Sequence, residues 1–197
     1  MKGLQFPVLL FFTSLMMCLS WGVMLIGEQT VLLELEFMTI SSINFNIVLI
    51  VDKINLSFSM VVTIIAMSVF TFSHKYMEED HNSDRFLWIL LSFVISMNLL
   101  VFSGSLFFLL LGWDGLGITS FALIIYYQSS ESLSAGFQTL MVNRLGDALI
   151  VVSTFLFILC GQFSFTSLDD KFVAVGLITM LAIAALTKSA QYPFSSW

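Results

Sequence analysis

Charge is what this chain has least of. Only 10% of its 197 residues are Asp, Glu, Lys or Arg, while 58% are hydrophobic. With a mean hydropathy of +1.00, the composition excludes an ordinary soluble domain, about a quarter of which is charged. Basic residues number 7 against 13 acidic ones, and without a basic stripe nucleic acid is excluded as a partner. The net charge of −6 falls mostly in connecting segments, so it defines no binding face. Cysteine is equally scarce. Cys18 and Cys160 both lie in apolar runs, where a thiol behaves as a small hydrophobe, which argues against a disulfide, redox or metal site. The first apolar run has no small-x-small cleavage site and no Arg-rich leader precedes it. It reads as a retained membrane helix, of bacterial or organelle-made origin.

What is present is a series of apolar runs. A bilayer-spanning helix needs about 20 such residues. Phe6 to Ile26 is the first, with Pro7 in the first turn, where its missing N–H costs nothing. From Gly27 to Asp52 the period changes to two: Leu33, Leu35 and Phe37 alternate with Glu34 and Glu36, and Ile43, Phe45 and Ile47 with Asn44 and Asn46. That predicts a β-hairpin turning at Ser41 and Ser42. Because open sheet edges are not tolerated against lipid, the hairpin belongs outside the hydrocarbon, over one mouth of a helix bundle.

Further spans are expected at Ile54 to Phe72, Phe86 to Phe102, Leu106 to Tyr126, a helix that includes Ala148 to Cys160, and Phe172 to Lys188. The short link Ser103 to Ser105 makes the third and fourth antiparallel neighbours. Asn55, Ser57 and Ser59 suit hydrogen bonding between helices. His74 and His81, among Glu78, Glu79, Asp80 and Asp84, read as a solvated turn rather than a metal pair. The fold class is therefore all-α and polytopic, with about six transmembrane helices and one short hairpin in the first long loop.

Four charged residues inside the apolar runs need explaining. Asp114 sits in LLLGWDGLGITSF, where an acid near a helix centre costs about 3 kcal/mol on insertion-based scales. Gly112, Gly115 and Gly117 around it permit close approach of a neighbouring helix. Arg144 and Asp147 occur in NRLGD, three apart and so on one helix face. They point into the bundle together, or else Arg144 snorkels to the headgroups with Asp147 as its counter-ion. Lys188 is followed five residues later by Pro193, which deprives the Ser189 carbonyl of its helical donor and is expected to break the helix there. Discontinuous helices place free backbone groups at ion sites near the membrane midplane. A helix-end lysine snorkelling to the interface is the competing account.

Taken in order, LLLGWDGLGITSF, NRLGD and ALTKSAQYPFSSW resemble the NADH dehydrogenase subunit 5 family, the distal antiporter-like subunits of mitochondrial respiratory complex I. The resemblance covers essentially the whole chain. It implies a membrane-arm subunit of the inner mitochondrial membrane that carries part of a proton path driven by electron transfer elsewhere. It implies no cofactor or metal on this chain, with FMN, iron–sulfur clusters and ubiquinone held by other subunits. Its partners would be other membrane-arm and accessory subunits and the lipid bilayer. Asp114 and Lys188 would be the proton-translocating pair, with Arg144 and Asp147 in support. The family usually carries Trp-Glu-Gly where this chain has Trp113-Asp114-Gly115, an acid one methylene shorter.

On this basis residues 1–105 are N-terminal transmembrane helices with a hairpin at about 27–52. Residues 106–197 begin the antiporter-like repeat, incomplete at the C-terminus. Family members continue through further helices, so the expectation is a fragment, a split gene product or the N-terminal part of a longer chain. If Asp114 and Lys188 stand about 4 Å apart at an effective dielectric of about 20, their attraction is roughly 4 kcal/mol. That is enough to govern loading of a lysine with a proton. A weak excess of Lys2, Lys75 and Arg85 over Lys53 and Lys171 places the N-terminus on the matrix side. Two rivals stay open: a subunit of a multi-subunit cation/proton antiporter, and a structural scaffold that does not conduct.

Overall fold

In the computed structural model, the described residues are 5–27, 30–40, 43–159, 171–189, 191, 192 and 194. They form α1 (Gln5–Gly27), β1 (Val31–Ile40), β2 (Ile43–Val51), α2 (Lys53–Tyr76), α3 (Ser83–Phe102), α4 (Leu106–Ile124), α5 (Ser130–Leu159) and α6 (Lys171–Lys188). Helices α1 to α5 are long and apolar enough to cross a membrane. In α6 the apolar stretch, Val175–Lys188, is shorter.

Each helix packs against its neighbour in sequence, as short connections between long helices require. At one end of the bundle α1, α2 and α3 share a core of Leu10, Ala66, Phe70, Leu87 and Val94. Outside it, apolar side chains face outward: Ile26 is 89% exposed and Val23 69%. On a soluble protein such a surface would be an aggregation hazard, whereas on a membrane helix it is where lipid or another apolar subunit sits.

The expected hydrogen bonding between helices is realised by Ser59, whose hydroxyl donates to Asn98 Oδ1 of α3 at 2.6 Å. Ser57 instead bonds its own helix at Ile54, and Asn55 donates to the Ile50 carbonyl. The histidine-bearing link is shorter than its polarity suggests. Asp52 caps α2 through the Lys53 amide, and α2 continues through His74 and Lys75 to Tyr76. Polar residues at a span's end are compatible with helix where they reach the interface.

The period-two segment is an antiparallel hairpin with register Val31↔Val51 through Ile40↔Ile43 and an irregularity between Glu36 and Met38. Its expected turn at Ser41 and Ser42 lies outside the described residues. Strand β2 does the docking: Val48 is buried, Leu49 bridges to Ser103, and the Gly104 amide donates to the Val48 carbonyl at 2.7 Å. The hairpin therefore clasps the α3–α4 link, whereas residues 31–35 of β1 are exposed. The expected break at Pro193 also falls outside the described residues, as does Cys160. The described part of α6 ends at Lys188.

Candidate charge cluster in the helix bundle

Small residues let α4 lie close on α3 and α5 close on α6. A Cβ on Gly112 would stand 2.9 Å from the Leu100 backbone nitrogen, so α4 lies almost directly on the backbone of α3. On α5, a Cβ on Gly146 would collide with Thr187 Oγ1 of α6. Glycine at these points is a requirement of spacing, because any side chain would push the helices apart.

Asp114 stands near the middle of α4, and Arg144 near the middle of α5. Arg144 Nη1 donates to Asp114 Oδ1 at 3.0 Å and to Asp147 Oδ2 at 3.3 Å. One guanidinium thus joins a carboxylate of its own helix to one of the neighbour. The Asp147 side chain is the least exposed of the three, 16% against 40% for Asp114 and 51% for Arg144. Helix α5 begins at Ser130, where the Ser132 amide bonds Ser129 Oγ and fixes its first turn. Arg144 stands fourteen positions after Ser130 in α5, so its backbone is about 20 Å from the helix start at 1.5 Å per residue.

Lys188 arrives from α6, which packs against α5. Its Nζ donates to the main-chain carbonyl of Trp113 at 2.7 Å and lies 4.5 Å from the centroid of the Trp113 ring, within cation–π range. This differs from the expected direct pairing of Lys188 with Asp114. The carboxylate is held by Arg144, and the ammonium by the residue before it. The long arm of Arg144 reaches the aspartate directly, and the guanidinium fork suits a carboxylate. Trp113 Nε1 is buried and has no hydrogen-bond partner among the described residues.

The four residues singled out in the sequence are thus brought together, by α4, α5 and α6. Trp113, which bridges the lysine to the acid helix, was not singled out. Its signal was adjacency to Asp114 and an indole cation-binding face. Among the described residues no group of three or more His, Cys, Asp or Glu could hold a metal. A cluster of two acids, an arginine and a lysine suits binding and exchange of protons through changes of partner.

Comparison with known proteins gives two family matches. Residues 37–87 match the model described as NADH-Ubiquinone oxidoreductase (complex I), chain 5 N-terminus. Residues 103–197 match NADH:quinone oxidoreductase/Mrp antiporter, TM. Among curated relatives, NADH-ubiquinone oxidoreductase chain 5 of Lumbricus terrestris is 42% identical over 86% of this chain and 30% of its own length. The Anopheles quadriannulatus chain 5 is 36% identical over 88% of this chain and 67% of its own. That of Aedes aegypti is 35% identical over 98% and 34%. The chain therefore spans about a third of the Lumbricus and Aedes proteins.

Proposed function

Because the chain belongs to the NADH-ubiquinone oxidoreductase chain 5 family, we propose that it is a membrane-arm subunit of a proton-translocating NADH:ubiquinone oxidoreductase. It sits as a multi-pass protein in the mitochondrial inner membrane and moves protons while electrons pass through other subunits. FMN, iron–sulfur clusters and ubiquinone belong to those subunits, and the partners of this chain are the neighbouring membrane-arm and accessory polypeptides and lipid. The N-terminal family match separates this reading from a cation/proton antiporter subunit, since the antiporter description covers only residues 103–197.

The observation that carries the reading is the cluster itself. Asp114, Arg144, Asp147 and Lys188 come together from three largely apolar helices; within a bilayer unpaired charge is costly and partner changes have large effects. Lys188 is the proton-exchanging group and Asp114 its electrostatic counterpart. Arg144 and Asp147 set how much of the Asp114 charge Lys188 experiences. When Asp114 leaves Arg144 for Lys188, the ammonium form is stabilised; when it returns, the proton is released.

Co-purification tests the assignment. A tag on this chain should recover NADH:ubiquinone reductase activity from detergent-solubilised membranes in one assembly. Recovery of a cation/proton antiporter free of NADH oxidation would refute it.

A further inference from the structure

At the end of the bundle where α2 meets α3 and α4 meets α5, a cleft of about 460 Å³ opens between α3 and α4. Its rim is polar, with Asp80, Asn82 and Arg85 on one side and Gln128 on the other. Its wall is apolar. Ile118, Phe121, Ala122 and Ile125 of α4 face it, a spacing that puts them in one stripe along the helix. From Ile125 at the rim to Ile118 that stripe runs about 10 Å towards the membrane interior, at 1.5 Å per residue.

Two features identify what the cleft fits. First, Asp80 and Arg85 line the same space, yet among the described residues the only ion pairs within 4.0 Å are those of Arg144. A carboxylate and a guanidinium therefore face one cleft without neutralising each other. A purely anionic group drawn to Arg85 would be opposed by Asp80, and a simple amine at Asp80 would be opposed by Arg85. A zwitterion satisfies both. Second, the rim lies where helices end and tyrosines gather. The Tyr126 hydroxyl donates to the Asn82 carbonyl at 3.1 Å and Tyr127 to Met77 Sδ at 3.4 Å, and Tyr126 packs edge-on against Phe86 at 5.2 Å. Tyrosines at helix ends mark the headgroup level of a bilayer.

We propose that this cleft is a binding site for one zwitterionic phospholipid, its phosphate at Arg85, its ammonium at Asp80 and one acyl chain along the α4 stripe. The hydroxyl bonds of Tyr126 and Tyr127 hold the rim in shape, and the guanidinium supplies the strongest single contact, a charge-assisted bond to phosphate.

The test uses the assembled membrane complex containing this chain, reconstituted in bilayers with a trace of photoreactive phosphatidylethanolamine or photoreactive phosphatidylglycerol carrying the same acyl chains. Crosslinked peptides are then quantified by mass spectrometry. Phosphatidylethanolamine should label the segments 85–89 and 118–128, about tenfold more than phosphatidylglycerol does. Arg85→Gln should lower that labelling about tenfold and Arg85→Lys should largely restore it. Equal labelling by the two lipids in the wild-type complex would overturn the proposal, as would labelling indifferent to Arg85→Gln. Absence of labelling by either lipid, as when a neighbouring polypeptide fills the cleft, would overturn it too. The comparison of lipids needs no variant and so survives any failure of Arg85→Gln to assemble.

Discussion

Lys188 Nζ is bonded at 2.7 Å to the carbonyl of Trp113, the residue immediately before the acid that Lys188 is expected to sense. The ammonium therefore sits one residue away from its electrostatic counterpart and is not locked to it. Arg144 holds Asp114 instead, at 3.0 Å. A lysine committed to a tight carboxylate pair would release its proton with difficulty, whereas one resting on a neutral carbonyl and an indole face keeps its charge with less attraction to overcome.

That arrangement predicts a measurable coupling between Arg144 and Asp114. Both side chains are partly exposed in the isolated chain, at 51% and 40%, so the pair is worth only about 1 kcal/mol there. A double-mutant cycle of Arg144→Gln and Asp114→Asn, read by thermal stability of the assembled complex, should return a coupling of that size. Strict additivity would mean that the two side chains act independently.

Contact between α5 and α6 sets where Lys188 stands. Gly146→Ala should force α6 away at Thr187, costing about 1–3 kcal/mol. Thr187→Ala removes the colliding oxygen and should recover part of that loss in the double variant. If Gly146→Ala is silent in both stability and pumping, the helices are not in the close register described.

The hairpin makes a separate prediction through its bond from Gly104 to Val48. In hydrogen exchange, the Gly104 amide should be protected although it lies in a three-residue link between helices. A Cβ at Gly104 would stand 2.7 Å from Ile50 Cγ1, so Gly104→Ala should loosen β2 and raise exchange there. Exchange at the rate of an open loop in the unaltered chain would show that β2 is not docked.

Tyr126 responds to pH in a defined direction. Burial, then the charge of Asp80 and the neighbouring Tyr127, holds its phenol above the usual value. A phenol whose folded pKa is raised favours folding fully below its ordinary value of about 10. That contribution disappears as pH rises through the folded pKa. Asp80→Asn removes the charge of Asp80 and alters its hydrogen bond to the phenol, and should move the tyrosine absorbance transition towards lower pH. An unmoved transition would place Asp80 too far from the ring to matter.

Much of this fold was legible because membrane helices write themselves in composition. Gln5–Gly27 and Ser83–Phe102 follow from apolar length alone, since lipid leaves a spanning backbone little choice but helix. The hairpin was legible from its period of two, but its docking was not. That depends on backbone atoms of Val48 and Gly104, which have no sequence signature. The start of α5 at Ser130 has helix-start chemistry in Ser129, whose hydroxyl accepts from the Ser132 amide. At the cluster, the four charged residues stood out because each is expensive in hydrocarbon. Which one pairs with which was decided by side-chain length and helix register, and only coordinates supply those.

The central claim is that the cluster moves protons and takes no part in electron transfer. Protons translocated per NADH oxidised, measured in sealed vesicles containing the complete complex, test it most directly in Asp114→Asn and in Lys188→Met. The account predicts that NADH:ubiquinone electron transfer persists in both variants while the ratio of protons to NADH falls below that of the unaltered complex. An unchanged ratio and rate in both variants would contradict it and leave the cluster a purely structural part of the membrane arm.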